Sequence, residues 1–304
     1  MAMDGVVFDV NAYRVIVHGL SHQHVDAAAA ELRRAEEASG VTVFAAVSVV
    51  KELLVHVANP ADPASHDCAM SLFLIGLHCS DPLGALRMVP EAGALVSHML
   101  TGDDPFKQEA QQIGAICQRI TQARGVVDAE SERVAQHVLN AMERREVPFL
   151  DDYHAIVTAP LDKNSRRKAI SFVEEHAEAQ SARALAFTAL AANRDMPATD
   201  DVDGAAKTLL QHFAPAFALH RRLLRKRIDH EEFFTNESKR NERSNFLWDL
   251  HLSFLVGAPV ANGRLSFVTG DKQLHESAKE SGQEQFVLSL SDYLEKLGAT
   301  ITPS

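Results

Sequence analysis

Two short apolar runs near the N-terminus constrain this chain more than any other feature. Val6-Val7-Phe8-Asp9-Val10 is apolar and β-branched and ends in polar residues, the pattern of a buried strand. Val41-Thr42-Val43-Phe44-Ala45-Ala46 is a second such run. Between them, His22 to Ser39 is rich in Ala, Glu and Arg, which favour helix, and Gly40 follows where a helix C-cap belongs. Ser48 is placed to cap a further helix, through Glu52 to about Val57. Strand, helix, strand, helix at this spacing implies a parallel sheet, because parallel neighbours need a crossover connection.

From about Asn59 to about Arg243 the texture changes. Segments with helical periodicity are separated by Pro, Gly and Asp clusters such as Thr101-Gly-Asp-Asp-Pro and Thr199-Asp-Asp-Val-Asp-Gly. The expected helices cover 66–79, 83–100, 105–123, 128–146, 163–193 and 203–234, an all-helical stretch without a fixed repeat. From Ser244 the α/β pattern returns. Phe246 to Val256 reads as helix, Leu265 to Thr269 as strand and Gln273 to Ser281 as helix; Phe286 to Leu288 reads as strand, and Ser291 to Leu297 as a closing helix with a Ser N-cap. Residues 1–58 and 244–304 together make about 120 residues, an ordinary domain size. The expected organisation is therefore one discontinuous α/β domain interrupted by a helical insertion, 59–243.

Composition narrows the function classes. The chain has 304 residues, 46% of them hydrophobic, enough for a sizeable core. The longest apolar stretches, Val41 to Val50 and Ala69 to Leu77, are too short to span a bilayer, and no basic, then apolar, leader opens the chain. The expectation is a cytoplasmic protein with no membrane partner. Cys68, Cys79 and Cys117 have no metal-type spacing and read as buried thiols; His18, His22 and His24 lack a partner pair at zinc-finger spacing. The net charge of −11 argues against adhesion to nucleic acid over the whole surface, so a polyanion would need local basic patches or bound cations.

In a parallel sheet, ligands bind beyond the carboxyl ends of the strands. Four acids fall there or on the next helix: Asp9 after the first strand, Glu52 after the second, Asp249 within the apolar Phe246-Leu-Trp-Asp-Leu-His-Leu, and Asp271 after Leu265-Ser-Phe-Val-Thr-Gly. Singly, Asp9 and Asp271 read equally as turn formers or caps, and Glu52 as a solvated helix position. A carboxylate among the apolar neighbours of Asp249 needs a cation or a donor.

Together, Phe8-Asp9-Val10-Asn11, Ser48-Val-Val-Lys-Glu52-Leu-Leu, the Asp249 helix and Val268-Thr269-Gly270-Asp271-Lys272 resemble, in order, the four acidic motifs of PIN-domain nucleases. The resemblance covers roughly the first 58 and last 60 residues; the long helical stretch departs from the usual pattern. It implies a PIN-like three-layer domain with a central parallel sheet, and a pocket in which Asp9, Glu52, Asp249 and Asp271 hold one or two Mg²⁺ or Mn²⁺ ions. Asn11 and Thr269 are candidate supporting donors. The implied activity is metal-dependent hydrolysis of RNA, or of single-stranded DNA, by an activated water, in a toxin, processing or defence role. Converging carboxylates point the same way on physical grounds, since they take up protons unless divalent cations neutralise them.

Candidate nucleic-acid contacts are the run Arg221, Arg222, Arg225, Lys226 and Arg227, followed by Lys239, Arg240 and Arg243; Arg166-Arg167-Lys168 is a further cluster. A charge run is equally a solvated helix face. Two other readings stay open. One is a catalytically inactive PIN-like scaffold whose helical insertion binds a regulatory protein or a second copy of the chain. The other is a haloacid-dehalogenase-like phosphatase with Asp9 as nucleophile, although Asn11 stands where that chemistry wants a second Asp.

Overall fold

The computed structural model describes residues 5–59, 61–102, 107–142, 162–191, 198–228, 236–260 and 263–299. The architecture is mixed α/β, a largely parallel sheet flanked by helices. β1 (Gly5–Phe8) is central, parallel to β2 (Thr42–Ala46) on one side and to β5 (Gly263–Val268) on the other. The strand order is β3-β2-β1-β5-β4, where β3 is Met88–Val89 and β4, Pro259–Val260, pairs antiparallel with β5. β6 (Val287–Leu288) pairs with β5 in parallel. Every residue of β1 is buried, which is why the strand reads as an unbroken apolar run rather than an alternation.

α1 (Val10–Val17) and α2 (His22–Ala38) connect β1 to β2; α3 (Val47–Val57) and α4 (Ser65–His78) connect β2 to β3. Gly40, at φ +68°, turns the chain out of α2 in the left-handed conformation that a Cβ disfavours. α4 packs against α1, α2 and α3 on one side and α6 (Lys107–Gln122) on another. A Cβ at Gly76 would collide with Thr121, so α4 and α6 approach more closely than alanine permits. α5 (Ala92–Thr101) precedes α6. After it come α7 (129–142), α8 (Lys163–Ala191), α9 (Thr199–His212), α10 (Ala214–Ile228) and α11 (Arg240–Ser253). α12 (Lys272–Glu280) and α13 (Leu290–Leu297) complete the α/β pattern.

The structure departs from the sequence-based expectations in specific places. Val10 opens α1 instead of closing β1. α3 starts at Val47 with Ala46 as its N-cap, so Ser48 lies buried within the first turn and caps nothing. The stretch expected to be wholly helical contains β3, which pairs with Ala45 and Ala46, and α4, which packs on the helices that precede it; the α/β portion thus runs past residue 58. A two-residue strand has no periodicity to read. The helix expected over 203–234 is two, broken at Phe213, with Pro215 in the first turn of α10 where its missing N–H is harmless. Residues 105–106, 143–146, 192–193 and 229–234 of the expected helices lie outside the described residues.

One connected apolar core joins the sheet to the helical stretch, with Phe213 and Phe217 packed against Phe254. Among the described residues, no helix is long and apolar enough to cross a membrane. The three cysteines are free and buried.

Beside β1 lies a buried polar network. His78 Nε2 meets both oxygens of Glu36 at 2.8 and 2.9 Å, and Tyr293 Oη donates to Glu36 Oε1 at 2.7 Å. Tyr13 Oη lies 3.3 Å from Cys79 Sγ. The Phe8 ring stands edge-on to those of His78 and Tyr293. Burial alone would push the His78 pKa down; the Glu36 charge overcomes that and holds it at about 10. The raised value means that the pair stabilises the fold fully below the ordinary histidine range and loses this as pH rises through about 10. Urea unfolding of the wild type should show stability falling between about pH 7 and pH 10. Glu36→Ala, which strands a buried imidazolium, should cost about 3–5 kcal/mol at neutral pH and flatten that pH dependence.

Candidate functional site

The direction of strand addition reverses at β1: connections from β1 and β2 step toward β3, whereas the one from β5 steps toward β6. Parallel connections are right-handed, so the helices on either side of this point cover opposite faces, and a crevice opens beyond the carboxyl ends of β1 and β5. Asp9 and Asp271 stand at that crevice.

Asp9 is 6% exposed. Its N–H donates to Val268 O at 2.9 Å, continuing the β1–β5 ladder, and its Oδ2 accepts a hydrogen bond from Thr269 Oγ1 at 2.7 Å. The same hydroxyl oxygen accepts the Asp271 N–H at 3.0 Å. Asp271 is also the N-cap of α12, its Oδ1 accepting from Leu274 N–H at 2.9 Å. The cap reading and the site reading therefore describe one residue, since the cap engages one oxygen. Asp9, Asp249 and Asp271 line a cavity of about 10 Å³ together with Leu219 of α10, Leu252 of α11 and Gln273 of α12. That is room for about one water-sized sphere.

Glu52 completes the group from α3, which packs against α11. It is half-buried, and its Oε2 is enclosed with no hydrogen-bond partner among the described residues. Burial raises the Glu52 pKa well above the usual carboxylate range, the charges of Asp9 and Asp249 raise it further, and Arg14 opposes them. Burial likewise raises Asp9, against the hydrogen bond from Thr269 and with a further contribution from Asp271. The electrostatics thus link all four acids, Glu52 to Asp9 and Asp249, and Asp9 to Asp271.

Among the described residues, no three His, Cys, Asp or Glu side chains stand together as a ready coordination set. The donors here are all carboxylate oxygens, which suits a hard divalent cation. The partnerless Glu52 Oε2 is an acceptor in need of one.

The other expected residues separate. Thr269 touches Asp9 directly, whereas Asn11 is exposed on the first turn of α1. Arg221 pairs with Glu178 at 3.0 Å; Arg222 pairs with Glu276 and, at 3.1 Å, with Glu280; Lys239 pairs with Glu242. These cations tie α10 to α8 and α12, or lie within one turn, and each is answered by an acid. The side chains of Arg225, Lys226, Arg227, Arg240 and Arg243 lie outside the described residues. Sequence reasoning missed Arg14 and Gln273. The signal for Arg14 was the helical spacing of Val10, Tyr13 and Val17, which makes α1 a helix and carries the arginine one turn past Asp9.

Compared with family models, with curated proteins and with solved structures, the chain matches none.

A carboxyl with a raised pKa favours the fold while protonated, and that contribution is lost as pH rises through the raised value. Without divalent cations, Asp9→Asn and Glu52→Gln should each therefore stabilise the protein at neutral pH, by about 1–2 kcal/mol, measured by thermal melting in EDTA. Thr269→Val should act oppositely, costing about 1–3 kcal/mol by leaving the Asp9 carboxylate and the Asp271 N–H without their shared hydroxyl.

Proposed function

We propose that this chain is a metal-dependent nuclease of the PIN type that hydrolyses RNA phosphodiesters. The observation that carries this reading is the convergence of Asp9 and Asp271 at the point where the strand order reverses, with Asp249 in the same cavity and the Glu52 carboxylate coupled to it. Four acids from four separate elements, against the electrostatic cost of gathering them, have a purpose if divalent cations bind there. The central parallel sheet flanked by helices is compatible with the PIN-like domain that the acidic motifs resemble.

Asp9 would anchor the ion, with Asp249 and Glu52 beside it and Asp271 through its oxygen not engaged in capping. Bound Mg²⁺ or Mn²⁺ supplies an activated water and charge stabilisation for phosphodiester hydrolysis. The chain's own residues fix the geometry. Thr269 holds the Asp9 carboxylate and, through its oxygen, the Asp271 backbone; the β1–β5 ladder fixes the backbone beneath both. Leu219, Leu252 and Leu274 wall the cavity with apolar groups, which excludes bulk water and strengthens the attraction of the carboxylates for a cation.

The test is cleavage of end-labelled single-stranded RNA and DNA with Mg²⁺, Mn²⁺ or EDTA. Cutting should require the metal and fall at least about 100-fold in Asp9→Asn and in Asp249→Asn. A wild type that neither cuts nor releases heat on titration with Mn²⁺ would sink the reading.

A further inference from the structure

Arg14 lies in α1, five residues past Asp9, on the Glu52 side of the acidic group. It is half-buried, and its Nε is enclosed with no hydrogen-bond partner among the described residues, although its charge acts on Asp62 as well as on Glu52. Glu52 Oε2 shares this state, and the α1 and α3 helices that carry the two residues pack together. Guanidinium and carboxylate near one another, each with an enclosed polar atom left open, leave donor and acceptor capacity that the protein does not use. An enclosed Nε–H without an acceptor is costly, and a guanidinium is a fork fitted to two oxygens of one anion. The other acids raise the same demand from the opposite sign: a divalent cation among them would cancel their charge only in part or just balance it, so a substrate phosphate would still need a protein cation nearby. By contrast, Arg221, Arg222 and Lys239 already have carboxylate partners.

We propose that Arg14 is a phosphate-binding residue of the acidic site, gripping the RNA backbone beside the ion that Glu52 helps to hold. This deepens the nuclease reading and rests on it. It places a point of backbone contact on α1, the helix that follows Asp9.

The experiment measures binding of a fluorescein-labelled single-stranded RNA 12-mer at fixed Mg²⁺ over a range of KCl. The background is the non-cleaving Asp9→Asn protein, with Arg14 intact, Arg14→Met or Arg14→Lys. One phosphate contact contributes about 0.7 to the slope of log affinity against log salt for a single strand. Arg14→Met should reduce the slope by about that amount and weaken binding on the order of tenfold. Arg14→Lys should restore the slope but only part of the affinity, because it keeps the charge and loses the fork. If Arg14→Met is folded by circular dichroism and its slope is unchanged, Arg14 only balances Glu52 and the proposal is wrong while the nuclease reading stands. If Arg14→Met does not fold, Arg14→Lys decides: an affinity equal to that of the arginine protein overturns the proposal. If the protein with Arg14 intact binds no RNA at any salt concentration, and the wild type binds none either, proposal and nuclease reading fall together.

Discussion

β1 pairs with β5 across almost the whole chain, and the site exists only once that pairing has formed. Thr269 and Asp9, bonded through their side chains, stand 260 positions apart. Closing a flexible loop of that length costs about 5 kcal/mol in chain entropy beyond a constant term, and each doubling adds only about 0.6 kcal/mol. The length of the intervening helical stretch is therefore thermodynamically cheap. What must offset the closure is burial: all four residues of β1 are enclosed, with apolar β2 and β5 beside them. The same dependence completes the site only late, because Asp9 has neither its Thr269 hydroxyl nor its neighbours Asp249 and Asp271 until the ends of the chain meet.

The acidic group strains the fold that it depends on, and the adjoining core shows what supports it. Phe8 immediately precedes Asp9, and its ring packs against those of Tyr13, His78 and Tyr293. Those three side chains belong to the Glu36 network, which ties α1, α2, α4 and α13 together through enclosed polar contacts. A buried ion pair is not generally a source of stability compared with apolar packing, but it is directional. Here it fixes how four helices stand around Phe8, and so fixes the backbone from which Asp9 emerges. Repulsion just beyond β1 is met by a geometrically demanding network around Phe8.

Much of this was legible because the main strands announce themselves. Val6 to Phe8 and Val43 to Ala46 are apolar on both faces, so a buried parallel sheet follows from composition alone, and a parallel sheet in turn singles out Asp9 and Asp271 by position. Glu52 and Asp249 were found by the same logic and by the apolar setting of Asp249. Other features leave weaker marks. β3 has two residues, too few for any period, and is defined by its pairing with Ala45 and Ala46. The break between α9 and α10 was written in Ala214-Pro215, which opens a helix as readily as it interrupts one. Ser48 was misplaced because β2 passes into α3 without a loop, leaving no turn for a cap to close. The roles of Arg221 and Arg222 were illegible for a different reason: their partners Glu178, Glu276 and Glu280 are distant in sequence, and nothing local distinguishes a neutralised cation from an available one.

That last point reshapes where affinity for a polyanion would come from. A chain of net charge −11 has no general attraction for nucleic acid, and two of the five cations of α10, Arg221 and Arg222, are paired with acids on neighbouring helices. α10 nevertheless reaches the site, through an apolar residue: Leu219 lines the cavity with Asp9, Asp249 and Asp271. On the nuclease reading, α10 shapes and dries the pocket near those acids. The divalent ions that the carboxylates hold would then remove the repulsion, and Arg14 would supply the positive charge. Engagement of the substrate would be conditional on metal, because the acids that repel a phosphate when bare no longer do so once ions neutralise them. An acidic protein with such a site would ignore nucleic acid over most of its surface and engage it only where it can also cut.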